Sequence, residues 1–375
     1  MIGRTINETR RALVYYRVPE RASSFRVVAD HHLRELGAQG WETTEADLRF
    51  DRPALESRGP AAPVAIVQPL FCYANWAGTD FPAIVSALRR RHRWLLGLEV
   101  ADTSRISARF VGWANHPEVS ALILPSRTAV DAYRASGVVT SLHCVPHGVE
   151  PVAPSTRFAA LRADPRPKIL CFVLEDPRRK GWDLVQKLMP AFRDCSFVVK
   201  RLRYGPEGDG TPRAFSPNMV TVDDWLPVHD LASLYVNCDV LLSLHRGGAF
   251  ELNCAEAAAY GLPVVTPRHG CVLEYLDERT AHFVDVAELV PVHQPSDDHC
   301  GLGAVADLGD AVKRLRGVVA GLTEAKAAAH AARDRFRETW SWAAAGGKLS
   351  EAITEIVARR DKHTPGPTPH SAGRR

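Results

Sequence analysis

No stretch of the chain approaches the roughly 18 to 20 uninterrupted apolar residues that a membrane-spanning helix needs. Residues Met1–Glu20 carry charges where a secretory signal requires an apolar core. A cytoplasmic location is therefore expected. Paired cysteines are missing too. The eight thiols, Cys72, Cys144, Cys171, Cys195, Cys238, Cys254, Cys271 and Cys300, stand alone without a C-x2-C spacing, most of them inside apolar runs. They read as reduced, buried small hydrophobes. Charge of one sign is scarce: 47 Lys+Arg against 43 Asp+Glu leave +4. That balance excludes a protein that coats nucleic acid, and 24% charged with 46% apolar residues excludes a disordered or collagen-like chain.

Several catalytic signatures are absent as well. A dinucleotide fold needs G-x-G-x-x-G after its first strand, so that backbone can approach the pyrophosphate. Here the first apolar run leads into Arg17-Val18-Pro19-Glu20-Arg21-Ala22-Ser23, without glycine. Gly301-Leu302-Gly303-Ala304-Val305-Ala306 fits a weaker version but follows a polar turn, and Gly346-Gly347-Lys348 lacks the rest of a phosphate loop. Neither H-E-x-x-H nor G-x-S-x-G occurs. The one cluster with ligand chemistry, Asp297-Asp298-His299-Cys300, consists of adjacent residues that rarely converge on one ion, and no metal site is expected.

What is present is alternation. Short apolar runs (Ala12–Tyr16, Val64–Gln68, Trp94–Val100, Ala121–Pro125) interleave with helix-length amphipathic segments (Ser24–Leu36, Phe81–Arg91, Ser104–Ala114, Ala129–Ser136). A proline-dense stretch from Val145 to Pro154, and again at Pro165-Arg166-Pro167, has no period and reads as a linker. The pattern resumes with strands at Ile169–Leu174, Ser196–Lys200, Val220–Val222, Val240–Leu244 and Val264–Thr266. The expected fold is α/β, two Rossmann-like domains in tandem over an interdomain cleft: 1–150, 151–345, a C-terminal helix at 346–361 packing back on the first domain, and a disordered tail at 362–375. His147, in the linker, reads as a hinge residue. The run Arg89-Arg90-Arg91-His92-Arg93-Trp94 reads as a solvated helix end, so membrane contact is at most peripheral.

The informative segment runs from Val240 to Val265: strand, glycine turn, helix, glycine stop, strand. Gly261 suits the left-handed residue that ends a helix and Pro263 forbids continuation, so a helix from about Phe250 to Tyr260 is predicted. Its first N–H groups point at the carboxyl edge of the preceding strand, where open α/β sheets bind ligands. With Arg246 beside them, Gly247, Gly248, Ala249, Phe250, Glu251 and Leu252 form a candidate anion site suited to a diphosphate. Glu256, further along the helix, can reach a neutral polyol such as ribose.

These residues resemble the donor site of retaining, family-4-like glycosyltransferases of the GT-B fold, whose pattern reads E-G-F-G-L-x-x-x-E-A-x-A-x-G-x-P-V. The match includes Phe250, Leu252, Glu256, Ala257, Ala259, Gly261, Pro263 and Val264. Gly248 stands where the pattern has its first glutamate, and Glu251 is the candidate substitute. Val173 to Asp183 resembles the family's G-R-x-x-x-x-R-K-G loop, with Leu174 in place of the arginine of its opening G-R and Lys180 matching the phosphate lysine. Leu124-Pro125-Ser126 through Val149 resembles the run that closes the first domain.

The resemblance implies a metal- and cofactor-independent hexosyltransferase that takes GDP-mannose or a UDP-sugar and a sugar, lipid-linked or small-molecule hydroxyl acceptor. Lys180, Arg246, Glu251 and Asp102 are the catalytic candidates. Arg179, Lys200 and the 246–252 segment with Glu256 are the candidates for donor binding. Glu99 and Asp102, at the end of a first-domain strand, are placed to orient an acceptor. A non-catalytic nucleotide-sugar or carbohydrate-binding protein and a nucleotide-sugar epimerase remain as alternatives.

Overall fold

Strands buried on both faces read as unbroken apolar runs, because helices cover each side of a parallel sheet. The first half of the chain obeys this rule at its centre and departs from it at its edges. The computed structural model describes residues 11–17, 24–47, 62–71, 80–174, 176–202, 212–223, 225–292 and 298–361. Its first sheet contains β1 (Ala12–Arg17), β2 (Glu42–Ala46), β3 (Val64–Gln68), β4 (Trp94–Leu98), β5 (Ala121–Leu124) and β6 (Leu142–Cys144). All are parallel, in the order β2-β1-β3-β4-β5-β6. The inner strands are buried almost throughout, whereas β2, with the sequence ETTEA, and β6 are largely accessible. A hydrophobic-run criterion passes over both edge strands for that reason.

Helices α1 (Ser24–Ala38), α2 (Phe81–Arg91), α3 (Ala108–Ala114) and α4 (Arg127–Ser136) cover this sheet. Ser126 caps α4 by accepting the Ala129 N–H. Helix α3 starts four residues later than its sequence suggests. Ser107 caps it by accepting from Phe110 N, and the backbone N–H of Ser104 donates across the molecule to Leu302 O at 3.1 Å. A long-range contact thus replaces the first helical turn.

The second sheet has the order β13-β12-β11-β7-β8-β10-β9. Its strands are β7 (Lys168–Leu174), β8 (Ser196–Leu202), β9 (Pro212–Ser216), β10 (Met219–Asp223), β11 (Val240–Leu242), β12 (Val264–Pro267) and β13 (Ala281–Val284). Only β9 runs antiparallel to its neighbour, a pairing the alternation did not reveal. Helices α5 (Trp182–Leu188), α6 (Val228–Asn237), α7 (Leu252–Tyr260), α8 (Leu308–Ala320) and α9 (Leu322–Thr339) belong to this half, with the hairpin β14 (Val286–Pro291) and β15 (Leu302–Ala306).

The last helix, α10 (Trp342–Asp361), returns to the first half. Leu349, Ala352, Ile353 and Ile356 pack with Leu13, Tyr15, Ala29 and Leu36, and Trp41 Nε1 donates to Ser350 Oγ at 2.9 Å. The helix begins four residues before 346, because Trp342 is itself anchored: its indole stacks on His31, with centroids 4.4 Å apart. The two passages between halves run side by side, with Val149 N–H donating to Trp340 O at 2.7 Å. The proposed tail, Cys72, Glu175 and Asp297 lie outside the described residues.

Candidate active site

In an open α/β sheet the strand order reverses at one point, and the crevice there lies outside the carboxyl ends of two strands whose following loops diverge. In the second sheet that point is between β7 and β11. The loop after β7 turns back through Asp176, whose backbone oxygen accepts from Lys180 N at 3.0 Å and whose Oδ1 accepts from Arg179 N at 3.0 Å. The loop after β11 is stitched to it, with Arg246 N–H donating to Arg179 O at 2.7 Å.

The two loops bring Lys180 onto Glu251. Lys180 Nζ lies 2.9 and 2.8 Å from the two carboxylate oxygens, and the Glu251 side chain is only 2% exposed. Burial alone would raise the Glu251 pKa, but the charges of Lys180, His245 and Arg179 outweigh it and hold the group below the ordinary carboxylate range. Arg179 spans the cleft: its Nη1 is 3.7 Å from Glu251, 3.5 Å from Asp102 of the first half, and donates to Gly247 O at 3.3 Å.

Helix α7 starts at Leu252 rather than Phe250 because Glu251 is left-handed, with φ 38° and ψ 66°. It is the one non-glycine residue with positive φ among the described residues. Such a conformation costs on the order of 1 kcal/mol or more and persists only where surroundings enforce it. Here Tyr275 Oη donates to the backbone oxygens of Phe250 (2.9 Å) and Glu251 (3.0 Å), and Lys180 holds the carboxylate. The side chain thereby folds over Gly248, where any Cβ would overlap Oε1 of Glu251. Glycine at 248 and glutamate at 251 are sterically coupled, so the carboxylate occupies the space beside the position where the family pattern has its first glutamate. No side chain caps α7. The other end closes as expected, with Gly261 at φ 73°.

Not every candidate joins this cluster. Arg246 turns away from the helix start: Nη1 and Nη2 each lie 2.7 Å from an oxygen of Asp183, and Nη1 also contacts Arg178 O. A carboxylate on the first turn of α5 claims the guanidinium before the loop can present it. Lys200, buried within β8, which runs two residues past the end expected from the sequence, donates to Arg201 O at 2.8 Å. Glu256 accepts from Tyr235 Oη of α6 at 2.6 Å, and burial pushes its pKa up to about 7. Leu252 packs toward Val28, Trp342 and Ala345, while Ala249 and Phe250 are buried.

The segment considered for metal chemistry has other uses. Asp298 pairs with Arg109 at 2.5 Å, and its backbone oxygen accepts from Ser107 N. His299 Nδ1 accepts from Asp102 N at 2.9 Å. With Gly301 N–H on Thr103 Oγ1 at 3.0 Å, these bonds form a seam closing the cleft beside Asp102. No group of three or more metal-binding side chains occurs among the described residues. Sequence reasoning missed this seam, since its partners lie almost 200 positions apart.

The fold is that of GT-B proteins, and the motifs at the site resemble those of family-4-like glycosyltransferases. The comparisons agree. A model described as "Family 4 Glycosyltransferase in conflict systems" matches residues 221–349. A putative glycosyltransferase 45 of Sulfolobus islandicus filamentous virus (isolate Iceland/Hveragerdi) is 28% identical over 228 residues, covering 60% of this chain and 63% of that protein. Sucrose-phosphate synthase from Thermosynechococcus elongatus superposes with a TM-score of 0.67 at 15% identity, over 93% of this chain and all of the other. Anabaena HepE, solved with UDP and glucose, gives 0.63 at 12% identity, over 92% of this chain and all of the other. No helix among the described residues is long and apolar enough to cross a membrane.

Proposed function

We propose that this chain moves a hexosyl group from a nucleotide sugar, GDP-mannose or a UDP-sugar, to a hydroxyl acceptor in the cytoplasm, with retention of anomeric configuration and without a metal. One observation carries the reading: at the switch point of the second sheet, Lys180, Arg179 and the uncapped start of α7 converge around a buried carboxylate, facing Asp102 of the first half. The resemblance to family-4-like donor sites and the likeness to a protein solved with UDP and glucose support the ligand class.

The chemistry follows from charge. Breaking a sugar–phosphate bond loads negative charge on the departing diphosphate, and cations held in a water-poor cleft stabilise that charge more than they could in bulk solvent. With donor bound, the Lys180 ammonium transfers from Glu251 to phosphate, and the freed Glu251 carboxylate meets the sugar hydroxyls. The α7 amides bind phosphate oxygens and Glu256 reaches the ribose, giving up its Tyr235 hydrogen bond. The acceptor enters from the Asp102 side, on the face the diphosphate leaves; as its oxygen bonds to the anomeric carbon and the sugar–phosphate bond breaks, its proton passes to the departing phosphate oxygen. Donor entry requires the seam at Asp102 and Leu302 to open, and closure then excludes water.

A second reading, binding without transfer, draws on the same pair: a Lys180 that never leaves Glu251 cannot serve the leaving group. Incubation with UDP- and GDP-sugars and a panel of hydroxyl acceptors, followed by mass spectrometry and proton NMR of any product, separates the two. A glycosylated product whose anomeric proton keeps the donor configuration is expected. Nucleotide-sugar binding without product would sink the transfer reading.

A further inference from the structure

The first sheet has its own switch point, between β1 and β3. A small cavity lies at the carboxyl edge beside it, walled by His32 of α1, Gln68 at the end of β3, Glu99 after β4, Val145 and His147. Among the described residues, no lysine or arginine lines it. The space open to the centre of a water-sized oxygen is about 10 Å³, room for one such atom.

Hydrogen-bond arithmetic fixes what that atom meets. Gln68 Oε1 can only accept, so the Tyr15 hydroxyl donates its proton there. The contact between Tyr15 Oη and His32 Nδ1, at 3.0 Å, therefore has the ring nitrogen as donor. This leaves Nε2 of His32 with its lone pair, on a side chain 1% exposed and with no partner among the described residues. The His147 ring lies 6.2 Å away, centroid to centroid, and its Nδ1 is likewise buried without a partner. Unsatisfied buried polar atoms are uncommon and costly, about 1 to 3 kcal/mol each. Two residues with such atoms lining one oxygen-sized space point to a missing ligand atom.

The lining is also uncharged. Burial, reinforced by the facing His147, keeps the His32 pKa well below its ordinary value, and burial takes His147 to about 3. Glu99 accepts from Phe71 N at 2.7 Å, and burial pushes it up to about 8, so it holds its proton at neutral pH. A phosphate or carboxylate would find no counter-charge. An alkyl group would leave both histidine nitrogens unpaired. The edge of the His147 ring meets Phe250, centroids 5.1 Å apart, one residue before Glu251.

We propose that this cavity seats one hydroxyl of an uncharged sugar or polyol, with His32 Nε2 accepting its hydrogen and His147 beside it. That this ligand is the acceptor rests on the transfer reading; the class of ligand does not. The test is saturation-transfer NMR on the full chain with methyl glucoside and methyl mannoside, against glucose 6-phosphate and glucuronate, with UDP and GDP titrated separately. A signal from a neutral glycoside is expected, weakened about tenfold or more both by His32→Ala and by Val145→Phe, which fills the space and leaves the histidine intact. Nucleotide binding should persist in both variants, confirming that they fold. Signals unaffected by both variants, equal signals from the charged sugars, or no glycoside signal at all (a single bound water only) would each overturn the proposal. Failure of nucleotide binding in the parent chain would instead strike the donor site alone.

Discussion

The two switch points share one topology and differ in polarity. The one in the second half holds Arg179, Lys180 and Glu251 as ions, with Arg246 and Asp183 paired nearby, whereas the first sheet offers His32, Gln68, Tyr15 and a protonated Glu99. Strand order makes a crevice in both, but the side chains at its rim decide what it receives. Charge held in a dry crevice needs a counter-charge, and neutral donors and acceptors need a hydroxyl. On the readings proposed above, a diphosphate belongs at one and an uncharged alcohol at the other.

The strongest way to break this comparison is at Glu251. Glu251→Ala should cut transfer by about 10²-fold or more. It should also lower stability by about 3 kcal/mol, since Lys180 loses its buried partner. Rate measurements and thermal unfolding read both effects, and an unchanged rate would remove Glu251 from the site.

A sharper contrast lies between two cations. Lys180→Ala should lose turnover by about 10²-fold. Arg246→Ala should lose mainly stability, about 1 kcal/mol given the partial exposure of Asp183, because its guanidinium faces that residue. Equal rate losses in both would show that Arg246 leaves Asp183 when donor binds. A smaller effect, about tenfold on the rate, is expected for Gly248→Ala: a Cβ there displaces the Glu251 carboxylate, whose flexible end can partly yield. Restoring the family pattern with Gly248→Glu and Glu251→Ala together should recover activity relative to Glu251→Ala, measured in the same assay.

The mildest test concerns Glu99. Burial raises its pKa in the fold to about 8, above the ordinary value of 4.5, so the fold retains a proton that the unfolded chain releases. Its stabilising contribution is therefore full below about pH 4.5 and is lost as pH rises to 8, with a slope of at most about 1.4 kcal/mol per pH unit. Denaturant titrations from pH 5 to 8 should show the parent chain losing stability relative to Glu99→Gln. Parallel curves would mean that Glu99 is already ionised in the fold.

The family pattern made much of the second half legible: the strand at Val240, the helix ending at Gly261, and the meeting of the Lys180 loop with the segment at 246–252. It did not make Arg246 legible, because a guanidinium placed beside a glycine loop reads as a ligand until Asp183 is found within 2.7 Å of it. Nor could it anticipate the helix starting at Leu252, since nothing local marks Glu251 as left-handed. In the first half, polar edge strands and the cavity at His32 were silent, for their residues look like ordinary helix and strand positions.

From the order of its residues alone the chain commits to alternating strands and helices, to a break near Pro146, and to a glycine turn leading into the helix that ends at Gly261, because hydrophobic period, proline and glycine act within a few positions. The tertiary structure alone chose which cation meets Glu251, made Asp102 and His299 neighbours, and left two histidine nitrogens unpaired. Those outcomes depend on groups up to 200 residues apart competing for the same partner in three dimensions, and such competition has no local signature.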